Sequence, residues 1–525
     1  MNVKWPIRLV KILCTTVVLF ALVLPFLAGP GQAQEGTKIV IGIPGDPVAL
    51  DPHQTSSALD RILYPVLYDR LVSHDADGKL VPELATKWSV SADGRTWTFQ
   101  LRPGHRFQDG TPVNAEAVKQ SFARNLDPKF PSAKRSFWSV LKEVTVVDDY
   151  RVAFTTEAPA PYFVSLLADN SGSIVSPTAA ATVSPAIFGR NPVGSGPYKF
   201  REWVRGSKIV VERNPFHWLS FLRRSPVDVI EFRPIPDTAT RAVGLETGEL
   251  DFVTAVEPED AKRLTTNSNL TVYNIPLSRQ VTLYPDFRKP PFNNLKVRQA
   301  IAYAINKQAL VDSFLFGFAK VSDSPLTPGV WARKTEPVFK YDPQKAKQLL
   351  AEAGYAKGFS TTVLVPVGQI PAMRQVAEAV AEMLKAVGIT ANLKMVEHTA
   401  WQSMTRRPPA ESELELSFWT WGNTVGDPDY GMRETFHSAN WSPVCCNRNF
   451  YRNREVDVLV ARAQVEPNTD IRAQLYGKAQ DIIWQEQAWI FLYTINFTSV
   501  GKRNLKNVIL PPTEFWIFRD VRISR

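Results

Sequence analysis

Hydrophobic and polar positions alternate through TWTFQLR (96–102), placing Trp97, Phe99 and Leu101 on one face of a strand. SADGR before it reads as a turn, and DGTPVNAEAVKQSF after it predicts a helix starting near Asn114. KIVVERN (208–214) and DVIEFRPI (228–235) read as further strands. The period lengthens in YDPQKAKQLLAEAGY (341–355), a helix with Asp342 as N-cap, Pro343 in its first turn and Gly354 at its stop. In 371–396, Val376, Val380, Leu384 and Val387 form one helical stripe that ends at Gly388, where a strand begins. RAQLYGKAQDIIWQEQAWIFLY (472–493) repeats that passage from helix to strand. This alternation predicts a mixed α/β protein, and its length exceeds what one core usually holds, so two or more lobes are expected.

One stretch resists the pattern. WTWGNTVGDPDY (419–430) sets two tryptophans one residue apart and then turns polar, with Gly422, Gly426 and Pro428 barring a regular helix. Such a loop is either surface padding with a buried anchor or the wall of a binding cavity.

The first residues bear on compartment. Lys4, Arg8 and Lys11 precede an apolar run, Ile12 to Ala28, and GPGQAQ offers Gly31 and Ala33 at the −3 and −1 positions of a cut after Ala33. That is the pattern of a cleaved secretory signal peptide, and export to the periplasm follows from it. Cleavage removes three positive charges and no acids, lowering the net charge from +10 to +7. The charges are dispersed, without a basic tract or RNA-binding signature, so no nucleic-acid partner is expected. Two cysteines remain, the adjacent Cys445 and Cys446, which either close a vicinal disulfide or stay as free thiols.

Catalytic patterns are weak. His53, His74, His105, His217, His398 and His437 are scattered, and His-Glu-x-x-His, G-x-S-x-G, P-loop and G-x-G-x-x-G motifs are absent. VGSGPY (193–198) reads as a tight turn, and DADG (75–78) lacks the later ligands of a calcium loop. Asp427, Asp429 and His437 do not make a convincing metal set. We therefore expect no catalytic residues, no metal and no cofactor.

Four separated stretches carry a resemblance: 80–124 (LVPELATKWSVSADGRTWTFQLRPGHRFQDGTPVNAEAVKQSFAR), 191–218 (NPVGSGPYKFREWVRGSKIVVERNPFHW), 289–312 (KPPFNNLKVRQAIAYAINKQALVD), and WTWGNTVGDPDY with LYGKAQDIIWQEQAWIFL. Together they resemble the family 5 extracytoplasmic binding proteins of peptide, nickel and opine ABC transporters. RPIPDTATRAVGLETGELDF, FHSANWSP, FYRNREVD and LPPTEFWIFRDVRI look most like the glutathione-binding branch. The resemblance implies a periplasmic binding protein type II-like two-lobe clamp with an additional small domain. It implies a signal peptide over 1–33, domain I over 34–75, 195–285 and 497–525, domain II over 76–194, and domain III over 286–496. It also implies a monomer that is not an enzyme, encloses a short or modified peptide, and delivers it to an ABC permease driven by cytoplasmic ATPase subunits. A nickel chelate, opine or sugar ligand is the alternative on the same fold, and an exported hydrolase the alternative of another class.

The site residues follow from the same resemblance. Trp421 is expected to pack on ligand, with Trp419 left to the core. Dipeptide binders carry an Asp for the peptide ammonium where this chain has Thr424, beside Asn423, and Asp427 is the nearest acid. Arg406 or Arg407, and Arg61, are candidate carboxylate partners because a guanidinium pairs two oxygens at once. Arg433, Trp138 and Asn170 are placed near the cleft by position alone.

Overall fold

The computed structural model describes residues 37–55, 57, 59–218, 227–367, 370 and 372–524, so the apolar leader and its expected cut lie outside the described residues. The local expectations are met where the chemistry is local. Strand Thr96–Leu101 buries Phe99 and Leu101 and leaves Trp97 half-buried. Helix Ala115–Leu126 starts where Asn114 Oδ1 accepts the Ala117 N–H at 3.0 Å. Strands Lys208–Arg213 and Val229–Pro234 and helix Pro343–Glu352, capped by Asp342, stand where expected. Helix Met373–Lys385 buries Val376, Val380 and Leu384, and the chain reverses at Gly388, whose φ of 97° favours glycine.

One eleven-stranded sheet runs through the molecule. Its order is 389–397, 359–367, 416–422, 270–285, 490–502, 252–253, 38–43, 229–234, 208–213 and 198–204, with 319–321 also paired to 490–502. Leu270–Pro285 and Ile490–Lys502 are the long antiparallel pair that joins its two halves. Their ladder is interrupted: Pro276 pairs with Asn496, but the next pair is Gln280 with Thr494. Two extra residues are therefore accommodated on the first strand, between Pro276 and Gln280.

A separate four-stranded antiparallel sheet (85–90, 96–101, 151–156, 141–148) and helix Ala115–Leu126 enclose their own apolar cluster, including Phe99, Phe122, Trp138 and Phe154. Val425, from the loop after strand Leu416–Gly422, is buried in that same cluster although it lies far away in sequence. A second cluster gathers 39–68, 175–232 and 505–521, and two more flank the sheet half built from residues after 280. Asp69 ties 60–70 to two distant segments. Its carboxylate oxygens accept from His105 Nε2 at 2.9 Å and His217 Nε2 at 3.1 Å, with all three side chains buried. Two histidines that look scattered in sequence are thus neighbours.

Candidate ligand-binding cleft

Strand Leu416–Gly422 pairs with 279–285, so Gly422 sits opposite Arg279 and Trp421 opposite Gln280. A Cβ on Gly422 would lie 2.9 Å from the Arg279 guanidinium, so the missing side chain makes room for it. The loop that follows is tied to itself. Asn423 Oδ1 accepts the Val425 and Gly426 N–H groups, and its amide donates to Asp427 O at 2.8 Å. Asp427 Oδ1 and Oδ2 accept from Arg472 Nη2 and Nη1 at 2.8 and 2.9 Å, and Oδ2 also accepts the Trp331 indole N–H at 3.2 Å. Asn423 and Asp427, both expected at the ligand, thus have their side chains bonded within the protein. Their polar atoms are engaged in shaping the turn and capping helix Pro428–Phe436. Thr424 is buried in the same turn.

The polar groups that do converge come from five distant segments. Arg61 Nη1 donates to Glu514 Oε2 at 2.5 Å, and Arg279 Nε donates to Glu514 Oε1 at 2.8 Å. Burial raises the Glu514 carboxyl, but Arg279 and Arg61 more than offset it and hold it below the usual range. Glu514 has a φ of 69°, a left-handed conformation costing on the order of 1–3 kcal/mol, and the two guanidiniums fix it there. Nearby, Lys134 Nζ donates to Asp169 Oδ2 at 2.5 Å. Burial depresses the Lys134 ammonium, which Asp169 only partly restores, and the charges of Arg61 and Glu514 also act on it. The set holds three cations against two carboxylates, largely withdrawn from water.

Aromatic rings border this set. Trp421, 9% exposed, packs on Tyr430 with centroids 5.3 Å apart, and Tyr430 meets Phe137 edge-on at 5.5 Å. Lys134 Nζ lies 4.9 Å from the Phe137 ring. Burial raises the Tyr430 hydroxyl far above its ordinary value, and Asp169, Arg61 and Arg279 all act on it. The indole N–H of Trp421 is buried without a partner among the described residues. Trp421 therefore stands in one apolar cluster and reaches, through Tyr430, the cluster of the small sheet.

The remaining candidates lie elsewhere. Trp138 is fully buried and edge-on to Phe122 at 4.8 Å, a core residue of the small sheet's cluster rather than a cleft residue. Asn170 is buried in the short turn after Asp169, and it is Asp169 that faces Lys134. Arg433 is paired with Asp429 at 2.9 Å and Glu434 at 2.7 Å. Arg406 and Arg407 are exposed at the end of helix His398–Thr405, and Arg407 reaches Glu413 at 3.6 Å. Arg61 joins the charged junction, where Glu514 matches its charge. Arg279, Glu514, Lys134, Asp169 and Tyr430 were missed. A lone arginine inside the apolar strand LSRQVTLYP and a lone acid in PPTEFW were the available signals.

Two groups among the described residues have metal-ligand chemistry within reach, Asp69–His105–His217 and Glu434–Cys445–Cys446. In the first the carboxylate is hydrogen-bonded to both imidazoles, and in the second the sulfurs are joined to each other. The adjacent cysteines thus form a vicinal disulfide. No helix among the described residues is long and apolar enough to cross a membrane.

A mixed α/β sheet in two halves, with a polar, aromatic-walled junction against a small third unit, defines the type II periplasmic-binding-protein architecture. The chain belongs to the bacterial extracellular solute-binding proteins, family 5, whose middle-region model matches residues 79–443. It is 32% identical over 487 residues to the glutathione-binding protein GsiB of Escherichia coli (strain K12), covering 93% of each chain. The GsiB of Pectobacterium atrosepticum is also 32% identical, over 507 residues, 95% of this chain and 96% of that one. Among solved structures, HbpA2 from Haemophilus parasuis superposes with a TM-score of 0.83 at 27% identity, over 93% of this chain and 100% of that one. DppA from Helicobacter pylori, in complex with the peptide STSA, gives 0.77 at 26% identity, over 94% and 100%.

Proposed function

We propose that this protein is the periplasmic substrate-binding component of an ABC importer, capturing a short or modified peptide of the glutathione type between its lobes. The observation that carries the reading is the junction of Arg61, Arg279 and Lys134 with Glu514 and Asp169, which has one positive charge in excess beside Trp421, Tyr430 and Phe137. An anionic group entering there would complete the charge balance, and the rings would cover the apolar part of the ligand. Thr424 and the fully engaged Asp427 leave no free carboxylate in the loop for an α-ammonium, which favours a peptide recognised through its acids.

Binding without chemistry is the role we assign: a monomer exported with cleavage after Ala33 and closing on its ligand. Domain I would comprise 34–75, 195–285 and 497–525, domain II 76–194 and domain III 286–496. A permease with cytoplasmic ATPase subunits would receive the closed form, since a ligand touching both lobes stabilises closure. Thermal melting with glutathione, dipeptides, opines and nickel–histidine tests the reading. A ligand at about a hundred times its Kd stabilises by roughly 2.7 kcal/mol. A shift only with opine or nickel chelate reassigns the ligand, and turnover of a peptide without any shift overturns the binding role.

A further inference from the structure

Arg448 is 5% exposed and has no carboxylate partner among the described residues. Its Nη1 donates to Thr405 Oγ1 at 2.9 Å, and its Nε is buried with no acceptor among the described residues. The guanidinium carbon lies 4.2 Å from the centroid of Trp419 and 4.9 Å from that of Trp401. Those two rings stack on each other at 4.3 Å and 16°, and His398 stacks on Trp401 at 5.7 Å. Burial pushes the Arg448 guanidinium down to about 10, and the charge of exposed Arg406 adds to that. His398 is likewise lowered, by burial first, and it feels Arg448, Arg279 and Arg406 together, with Glu397 the opposing acid. Arg279, Arg406 and Arg448 thus all lie within electrostatic reach of His398.

Aromatic faces offset only part of the cost of a buried cation, and a guanidinium with a free Nε offers the fork that a carboxylate fits. We propose that Arg448, supported by Thr405 and flanked by Arg406 and His398, forms a second anion subsite that takes a carboxylate at the far end of the ligand. The proposal rests on the peptide-binding reading above and deepens it. Trp419 and Trp421 alternate onto the same face of strand Leu416–Gly422, and Arg448 lies over Trp419. Arg448 therefore stands one pleat, about 7 Å along the strand, beyond the Trp421 ring. The ligand class is therefore a short peptide-like molecule that carries a carboxylate at its far end as well as one at the Arg61–Arg279–Lys134 junction.

Calorimetry with glutathione and with its glycyl ethyl ester tests this on the whole mature protein. The wild type binds the acid at least about thirtyfold tighter than the ester, and Arg448→Gln abolishes that difference by weakening the acid alone. Arg448→Lys retains the buried charge if the glutamine variant fails to fold, and it reduces the preference to a few-fold because an ammonium lacks the fork. Equal affinity of the wild type for acid and ester overturns the subsite while leaving the peptide reading intact. So does an Arg448 variant that weakens both alike, the result of a purely structural role. Binding of neither probe overturns the subsite and removes the glutathione-type ligand with it.

Discussion

Arg279 and Glu514 face each other through a 2.8 Å hydrogen bond from Nε to Oε1, although 235 positions separate them in the chain. Glu514→Gln leaves buried Arg61 and half-buried Arg279 beside a neutral amide, and unfolding free energy should fall by about 3–5 kcal/mol. Because Glu514 is held below its usual range, its contribution is complete above the unfolded carboxyl value of roughly 4.3 and is lost as pH falls through the folded one. The variant should therefore lose less stability than the wild type on acidification. Urea titrations at neutral pH and near pH 3 measure both effects, and equal acid sensitivity would count against the assignment.

Asp427→Asn should destabilise by a similar amount, about 3–5 kcal/mol, since Arg472 is left buried and unpaired. Ligand affinity of the folded fraction should change little. A normal melting temperature with collapsed affinity would return Asp427 to the ligand site.

Two tryptophans separate wall from core. Trp421→Ala should weaken binding by about 1–3 kcal/mol. Trp138→Ala should cost about 3–5 kcal/mol of stability and spare affinity, because its ring is enclosed beside Phe122. Melting curves and calorimetry on the pair decide it, and interchange of the two outcomes refutes both placements.

Lys307 begins helix Lys307–Phe314 with its ammonium buried and without a hydrogen-bond partner among the described residues, and burial pushes it down to about 7. The unfolded side chain keeps its proton to roughly 10.4. Below about pH 7 the fold must therefore carry a buried charge, and that penalty is relieved as pH rises from about 7 towards 10.4. Lys307→Met should stabilise by about 1–4 kcal/mol at pH 6 and by little at pH 10. A pH-independent difference would show that the ammonium is solvated.

The legible parts of this molecule were those settled by near neighbours. Asn114 and Asp342 announce their helices because a cap needs only the N–H groups of the next turn. Strand Thr96–Leu101 shows its buried face in six residues. Ion pairing has no such local signature. Asp427 looks available in GDPDY, and only the fold brings Arg472 to it. Arg61 reads as a free cation until Glu514, 453 positions later, arrives beside it. Arg406 and Arg407 stand in a plausible stretch, yet the buried arginine of that corner is Arg448, in a segment whose cysteines drew attention first.

The interruption between Pro276 and Gln280 has a kinetic consequence. Swinging one half of the sheet against the other would flex the two long strands where their ladder is already broken. Ser278 and Arg279 ride on that segment, the first accepting the Asn423 N–H on its backbone carbonyl at 2.7 Å, the second gripping Glu514. The stiffness of the bend and the grip on the charge cluster thus belong to the same few residues. A change here that lengthens the ligand's stay also slows its hand-over, so uptake should be fastest at an intermediate tightness rather than at the greatest one.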